Sequence, residues 1–218
     1  MSVIKGCIFD LDGTLLDTIV DIGESLNIVL KKYNLPVHDM EAYKTFVGSG
    51  TDILIKRATK SEKNELNDAI LSEYLTIYHQ NLVSKTTVYK NVDNTLKILN
   101  EKNIKIAVLT NKPDKSAKIM INTYFQNIKF DEILGQSENF PIKPNPASAV
   151  HLAKNIMRLN TENIAFIGDS PEDMQTANNA KMLPIGVSWG YQKIEKLLEN
   201  NAKFIIDNMS ELLGIIGI

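Results

Sequence analysis

The sequence predicts an α/β fold, a Rossmann-like parallel sheet core carrying an inserted all-helical cap, and three features predict it. An apolar, β-branched run near the start ends abruptly in Asp10-Leu11-Asp12-Gly13, as a buried parallel strand does where its carboxyl end opens into a site. Residues from about 16 to 85 carry helical periodicity and no strand pattern. Beyond Val88, apolar strands alternate with amphipathic helices, the order of a parallel sheet covered on both faces. The helical block separates the first strand from the others and therefore reads as a cap over the carboxyl edge of the sheet. The expected division is a catalytic core of residues 1–15 and 86–218 and a cap of residues 16–85.

In chain order, the first strand delivers Asp10 and Asp12 to one side while Leu11 turns to the interior. Residues 18–34 repeat Ile19, Ile22, Leu26, Val29 and Leu30 at helical spacing, and Asn34-Leu35-Pro36 stops the pattern. A second helix is expected over 39–46; the turn Val47-Gly48-Ser49-Gly50-Thr51 leads into a short helix through Arg57. Residues 61–82 form a long amphipathic helix, with Leu66, Ala69, Ile70, Tyr74, Ile77 and Tyr78 on one face. The core resumes with a helix at 92–103, a buried strand at 104–110 and a helix at 113–125, for which Pro113 suits the first turn. A short strand at 132–135 and a helix at 146–158 follow, then a buried strand at 163–168 and a helix at 171–181. The chain closes with a strand at 183–187, a helix at 193–199, an edge strand at 203–206 and a helix at 209–216.

Composition narrows the function. The 218 residues are enough for a buried core plus an insertion, and 44% hydrophobic with 23% charged residues is the balance of a soluble globular protein. A net charge of −2, from 24 basic and 26 acidic residues, gives no reason to expect nucleic acid or an anionic membrane as partner. Cys7 is the single cysteine, which excludes an internal disulfide and any multi-cysteine metal site. The short apolar start runs straight into acids, unlike a signal peptide, and no segment is long enough to cross a bilayer, so a cytoplasmic protein is expected. Monomer and homodimer remain equally open.

The chemistry concentrates at strand ends. Two carboxylates as close as Asp10 and Asp12 call for a cation, and oxygen-only ligands favour Mg2+. A carboxylate is also a nucleophile able to form an aspartyl-phosphate, and Gly13 would let backbone approach a phosphate. Thr110-Asn111 offers a hydroxyl and an amide after a strand, Lys143-Pro144-Asn145-Pro146 a lysine in a proline-stiffened loop, and Gly168-Asp169-Ser170-Pro171-Glu172-Asp173 two more acids at a helix entrance. Each has a plainer reading: a hairpin turn at Asp12-Gly13, a helix cap at Thr110, a solvated Lys143, first-turn acids at Asp169 and Asp173. Asp17-Thr18 reads mainly as a helix cap and otherwise as a hinge, Lys56 and Arg57 as substrate contacts or solvated charges, and Trp189 as packing against the sheet a little more readily than as lining of the site. His38, His79 and His151 sit away from every motif.

Together, Asp10-Leu11-Asp12-Gly13-Thr14, Thr110-Asn111, Lys143-Pro144 and Gly168-Asp169-Ser170 with Asp173 resemble the four motifs of the haloacid dehalogenase superfamily, over the whole chain. The helical insert resembles that superfamily's small helical cap. Thr110-Asn111-Lys112-Pro113, Gly48-Ser49-Gly50 and Trp189-Gly190-Tyr191 are similar to phosphoglycolate phosphatase-like members. The resemblance implies Asp10 as nucleophile and Asp12 as the acid that protonates the leaving alkoxide and later activates water. It implies Mg2+ on the Asp10 carboxylate, the Asp12 backbone carbonyl and Asp169, with Asp173 in support, and Thr110, Asn111 and Lys143 on the phosphoryl oxygens. Asp12 argues for phosphate over halide, because a halide leaves without a proton. The expected substrate is a small phosphorylated metabolite, 2-phosphoglycolate first. A β-phosphoglucomutase-like isomerase, a pyrophosphatase or nucleotidase of the same superfamily, and a non-catalytic phosphate-binding protein are the alternatives.

Overall fold

The computed structural model describes residues 3–218; residues 1 and 2 of the expected core lie outside the described residues. The chain runs β1 (Gly6–Phe9), β2 (Leu16–Asp17), α1 (Ile19–Lys32), α2 (Met40–Phe46), α3 (Thr51–Thr59), α4 (Asn64–Asn81), β3 (Thr87–Val88), α5 (Val92–Glu101) and β4 (Lys105–Pro113). It continues through α6 (Asp114–Tyr124), β5 (Glu132–Gln136), α7 (Ala147–His151), β6 (Ile164–Gly168), α8 (Pro171–Asn179), β7 (Leu183–Val187), α9 (Ile194–Glu199), β8 (Phe204–Ile206) and α10 (Glu211–Ile216).

Six strands form one sheet in the order β5-β4-β1-β6-β7-β8, every neighbouring pair parallel. Parallel strands are buried on both faces, which is why β1 and β6 are continuous apolar runs, each buried at every position. The chain builds outward from β1 on one side through β4 and β5, then crosses to the other through β6, β7 and β8. That reversal beside β1 opens a crevice at the carboxyl ends, where ligands of such sheets bind.

Helices α1 to α4 pack against one another and make up the helical insertion expected as a cap. Ile22, Leu26, Val29 and Leu30 of α1 are buried, as are Ile70, Tyr74 and Tyr78 of α4. They join a hydrophobic cluster that continues into the sheet through Phe9, Val108 and Ile167. Asp39 caps α2 by accepting the Ala42 N–H at 2.8 Å.

Three expectations need correction. The block from residue 16 contains a strand after all: Leu16–Asp17 pairs antiparallel with Thr87–Val88, a two-stranded ribbon where the chain leaves and re-enters the core. Two residues are too few to show an alternating pattern. The strand expected to end at Thr110 continues to Pro113, with an irregular register between Leu109 and Pro113, so Pro113 ends β4 and precedes α6 instead of opening its first turn. A strand end tolerates proline because no ladder donor is needed there. The helix over 146–158 forms, but after His151 it is wound as a π-helix over Leu152–Met157.

Candidate active site

Four adjacent strands, β5, β4, β1 and β6, deliver the polar residues to one cleft beneath the cap. β1 places Asp10 at its end, fixed by its N–H donating to the Ile167 carbonyl at 2.9 Å. The loop after β5 brings Lys143 over it. The Lys143 Nζ donates to Asp10 Oδ1 at 2.7 Å and to Asp173 Oδ1 at 2.6 Å, and its side chain is only 3% exposed. Asp173 is positioned by a capping box at the start of α8, where its Oδ2 accepts from the Ser170 N–H at 3.0 Å and hydroxyl at 2.6 Å. Asp169 accepts from Thr14 Oγ1 at 3.2 Å and from the Tyr191 N–H at 2.8 Å. Two glycines make room for it: a Cβ at Gly190 would lie 2.1 Å from the Asp169 Cβ, and one at Gly13, φ +86°, 2.4 Å from Oδ2.

Asp10, Asp169 and Asp173 are all buried and bring one carboxylate oxygen each within 4.8 Å of the others. Burial lifts Asp10 to about 7, with Asp173 and Asp12 adding to it and Lys143 pulling the other way. Burial and the charges of Asp10 and Asp173 hold Asp169 well above the usual carboxylate range. Burial alone would lower Lys143, but the two carboxylates raise it above the ordinary lysine value, so it is a cation. Three buried carboxyls against this one ammonium leave the cluster short of positive charge. A hard divalent cation, which takes carboxylate oxygens, fits that deficit.

Asp12 lines the same cleft as Asp10 and has its own cation. Lys112 Nζ donates to Asp12 Oδ1 at 2.9 Å and Oδ2 at 3.1 Å, and Thr18 Oγ1 donates to Oδ1 at 2.7 Å. Lys112 is held from the cap side, 4.8 Å above the Tyr78 ring, while Lys143 lies 5.8 Å from the ring of Phe166 in the sheet. Burial keeps the Tyr78 phenol well above its ordinary value, so the ring is neutral and attracts the ammonium.

The remaining candidates are more committed than expected. The Asn111 amide accepts from the Lys143 N–H at 2.9 Å and donates to the carbonyls of Gly48 at 2.9 Å and Lys143 at 3.2 Å, tying β4 to the lysine loop and the cap turn. Thr110 lines the cleft with its Oγ1 accepting from the Lys112 N–H at 3.2 Å, which leaves its proton to donate. The Gly13 N–H donates to the Leu16 carbonyl at 2.8 Å. Thr18 precedes α1 without capping it through its side chain; its hydroxyl serves Asp12 instead. Arg57 braces the cap turn through the Phe46 carbonyl at 2.8 Å and Ser49 Oγ at 3.2 Å, and Lys56 is exposed; neither lines the cleft. Trp189 packs toward Tyr89 and donates to the Thr14 carbonyl at 3.2 Å.

Three residues escaped sequence reasoning: Lys112, Thr18 as a partner of Asp12, and Tyr191. The Tyr191 hydroxyl accepts from the Thr18 N–H at 2.7 Å and donates to Asp17 Oδ1 at 3.2 Å, tying the loop after β7 to the ribbon at the cap junction. For Lys112 a signal existed, since a lysine directly after Thr110-Asn111 must sit at the same strand end as Asp12.

The cap completes a cavity of about 60 Å³ over these groups, walled by Val47, Leu54, Tyr74 and Leu75. At about 10–15 Å³ per water that is space for a few waters. Ser49 Oγ donates to Glu172 at 2.6 Å and Gln192 Nε2 to the Lys44 carbonyl at 2.8 Å, holding the cap turn against the core. Among the described residues, no helix is long and apolar enough to cross a membrane.

The sequence model of the haloacid dehalogenase-like hydrolases matches residues 7–187. Among curated proteins, the phosphoglycolate phosphatases of Pasteurella multocida and of Haemophilus influenzae (strain ATCC 51907) are 32% and 31% identical, each over 95% of this chain and 96% of their own length. A crystal structure of a predicted phosphoglycolate phosphatase from Haemophilus somnus superposes with a TM-score of 0.91 at 29% identity, covering 99% of both chains.

Proposed function

The chain belongs to the haloacid dehalogenase-like hydrolases and is a phosphatase, and from that premise we propose that it hydrolyses a small phosphomonoester of the 2-phosphoglycolate type, with Mg2+, through an aspartyl-phosphate on Asp10. The observation that carries this reading is the separation of the two motif carboxylates onto two lysines, Asp10 on Lys143 and Asp12 on Lys112. Two acids in one cleft with different partners can hold different roles.

In the first step an Asp10 oxygen attacks phosphorus in line with the ester bond; the P–O bond breaks and Asp12 gives its proton to the departing alkoxide. In the second step Asp12, now ionised, takes a proton from a water that attacks the same phosphorus, releasing phosphate and freeing Asp10. Lys143 and the Thr110 hydroxyl carry the charge spread over the phosphoryl oxygens, and Asn111 holds the backbone of Lys143 in place. A divalent cation, held by Asp10, Asp169 and the Asp12 carbonyl with Asp173 behind, would supply charge neutralisation and keep Asp10 ionised near neutral pH. Residues 16–85 act as a cap whose closure keeps bulk water from the intermediate.

The test is phosphate release from 2-phosphoglycolate, sugar phosphates, nucleotides and pyrophosphate, with and without Mg2+, by the native chain and by Asp10→Asn. Metal-dependent release that vanishes in Asp10→Asn is expected, with 2-phosphoglycolate the preferred ester. Isomerisation of a sugar phosphate without net release would establish the mutase instead.

A further inference from the structure

Lys112 lines the cleft together with Asp12 and Tyr78. Its side chain is 3% exposed, so its charge is desolvated and must be answered by an anion. In the structure that anion is Asp12, which also keeps a second donor in Thr18. Asp12 is therefore not stripped of partners if Lys112 turns toward something else.

The two lysines divide the cleft. Lys143, against the sheet, marks where the phosphoryl group sits on Asp10; Lys112, against Tyr78 of the cap, lies on the side of Asp12. In-line transfer to Asp10 with Asp12 at the leaving oxygen puts the remainder of the ester on that second side. Everything else on the cap wall is neutral: Val47, Leu54, Tyr74 and Leu75. A cation set at one point of an otherwise apolar wall discriminates by charge, because a neutral group placed there leaves the ammonium with nothing gained.

Resting on the phosphatase reading above, we propose that Lys112 is the specificity-determining residue, binding a carboxylate carried on the carbon next to the ester oxygen and so selecting short phosphorylated carboxylic acids. One ammonium matches one carboxylate. A second phosphate would bring about two negative charges to a buried position beside Asp12 and leave one unanswered.

The experiment compares 2-phosphoglycolate with ethyl phosphate, which has the same two-carbon skeleton without the carboxylate, in the native chain and in Lys112→Met. The native kcat/KM should favour 2-phosphoglycolate by about 100-fold or more, and in Lys112→Met that preference should fall by about 100-fold, chiefly through KM, as expected for truncating one partner of a buried charge pair. A preference that falls by less than about tenfold, whatever loss is common to both esters, would make Lys112 only a support for Asp12 and overturn the proposal. The native chain tests it alone should the variant not fold: turnover of p-nitrophenyl phosphate without preference for the carboxylate overturns the Lys112 assignment and leaves the phosphatase reading intact. No release from any of the three esters overturns both.

Discussion

Replacing Asp10 by asparagine should do two opposite things: abolish phosphate release and stabilise the metal-free protein at alkaline pH. Asp10 is lifted from the ordinary 3.8 to about 7, first by burial and then by Asp173 and Asp12, with Lys143 opposing. A group whose folded pKa lies above its unfolded value binds its proton more tightly when folded. The stability it contributes is complete below about 3.8 and is lost as pH rises through about 7. At about 1.4 kcal/mol per pH unit, the ionised carboxylate weighs against folding by about 4 kcal/mol at pH 8, and by less than half of that at pH 5. Asparagine is the same size and carries no charge, so its advantage over aspartate should widen by about 3 kcal/mol between those two pH values. For a chain of this length that is a gap in Tm growing by roughly 5–10 °C. Thermal unfolding of both forms in EDTA, from pH 5 to pH 8, reads it directly. Added Mg2+ should then stabilise the native chain more at pH 8 than at pH 5, since the cation competes with the proton for Asp10, and should stabilise the variant less. A gap that stays constant with pH, or a native chain that gains on the variant as pH rises, would mean that Asp10 is not raised in the folded chain.

Other consequences are equally concrete. Asp12→Asn should lower kcat by about 10²–10⁴-fold on an alkyl phosphate but much less on p-nitrophenyl phosphate, whose leaving group departs without a proton; equal losses would deny Asp12 the role of acid. Gly190→Ala would put a methyl 2.1 Å from the Asp169 Cβ and force that carboxylate to move. Metal affinity, followed by calorimetry, should drop by about 10-fold or more, and an unchanged affinity would count against Asp169 as a ligand. Cys7 is fully buried in β1 and its thiol is pushed up to about 12 by burial, so iodoacetamide at pH 8 should leave it untouched in the native chain and alkylate it only after unfolding in urea.

Much of the site was legible because a buried parallel strand can end in polar residues only where the sheet edge opens. Asp10, Thr110, Lys143 and Asp169 each follow an apolar run or sit in the loop beyond one, and the structure brings all four to one cleft. Lys112 and Tyr191 were not legible in the same way. Lys112 looks like any lysine before a proline, and it meets Asp12 across a hundred positions of chain only because β4 and β1 are neighbours in parallel register. Tyr191 reaches Asp17 and Thr18 from the far end of the sequence. Asn111 shows the reverse: its residue type suggests a phosphate ligand, while its amide is engaged with Gly48 and Lys143.

Strand and helix periods and local charge are properties of neighbours along the chain, so the α/β class, the helical insertion and the set of acids and cations are readable from the order of the residues. Which acid has which lysine, the extension of the Thr110 strand that puts Lys112 in the cleft, and the pairing of Leu16 with Val88 where the helical insertion joins the core all come from the packed fold. Those are long-range pairings, fixed by strand order and by the burial that makes each charge find a partner, and no local pattern encodes them.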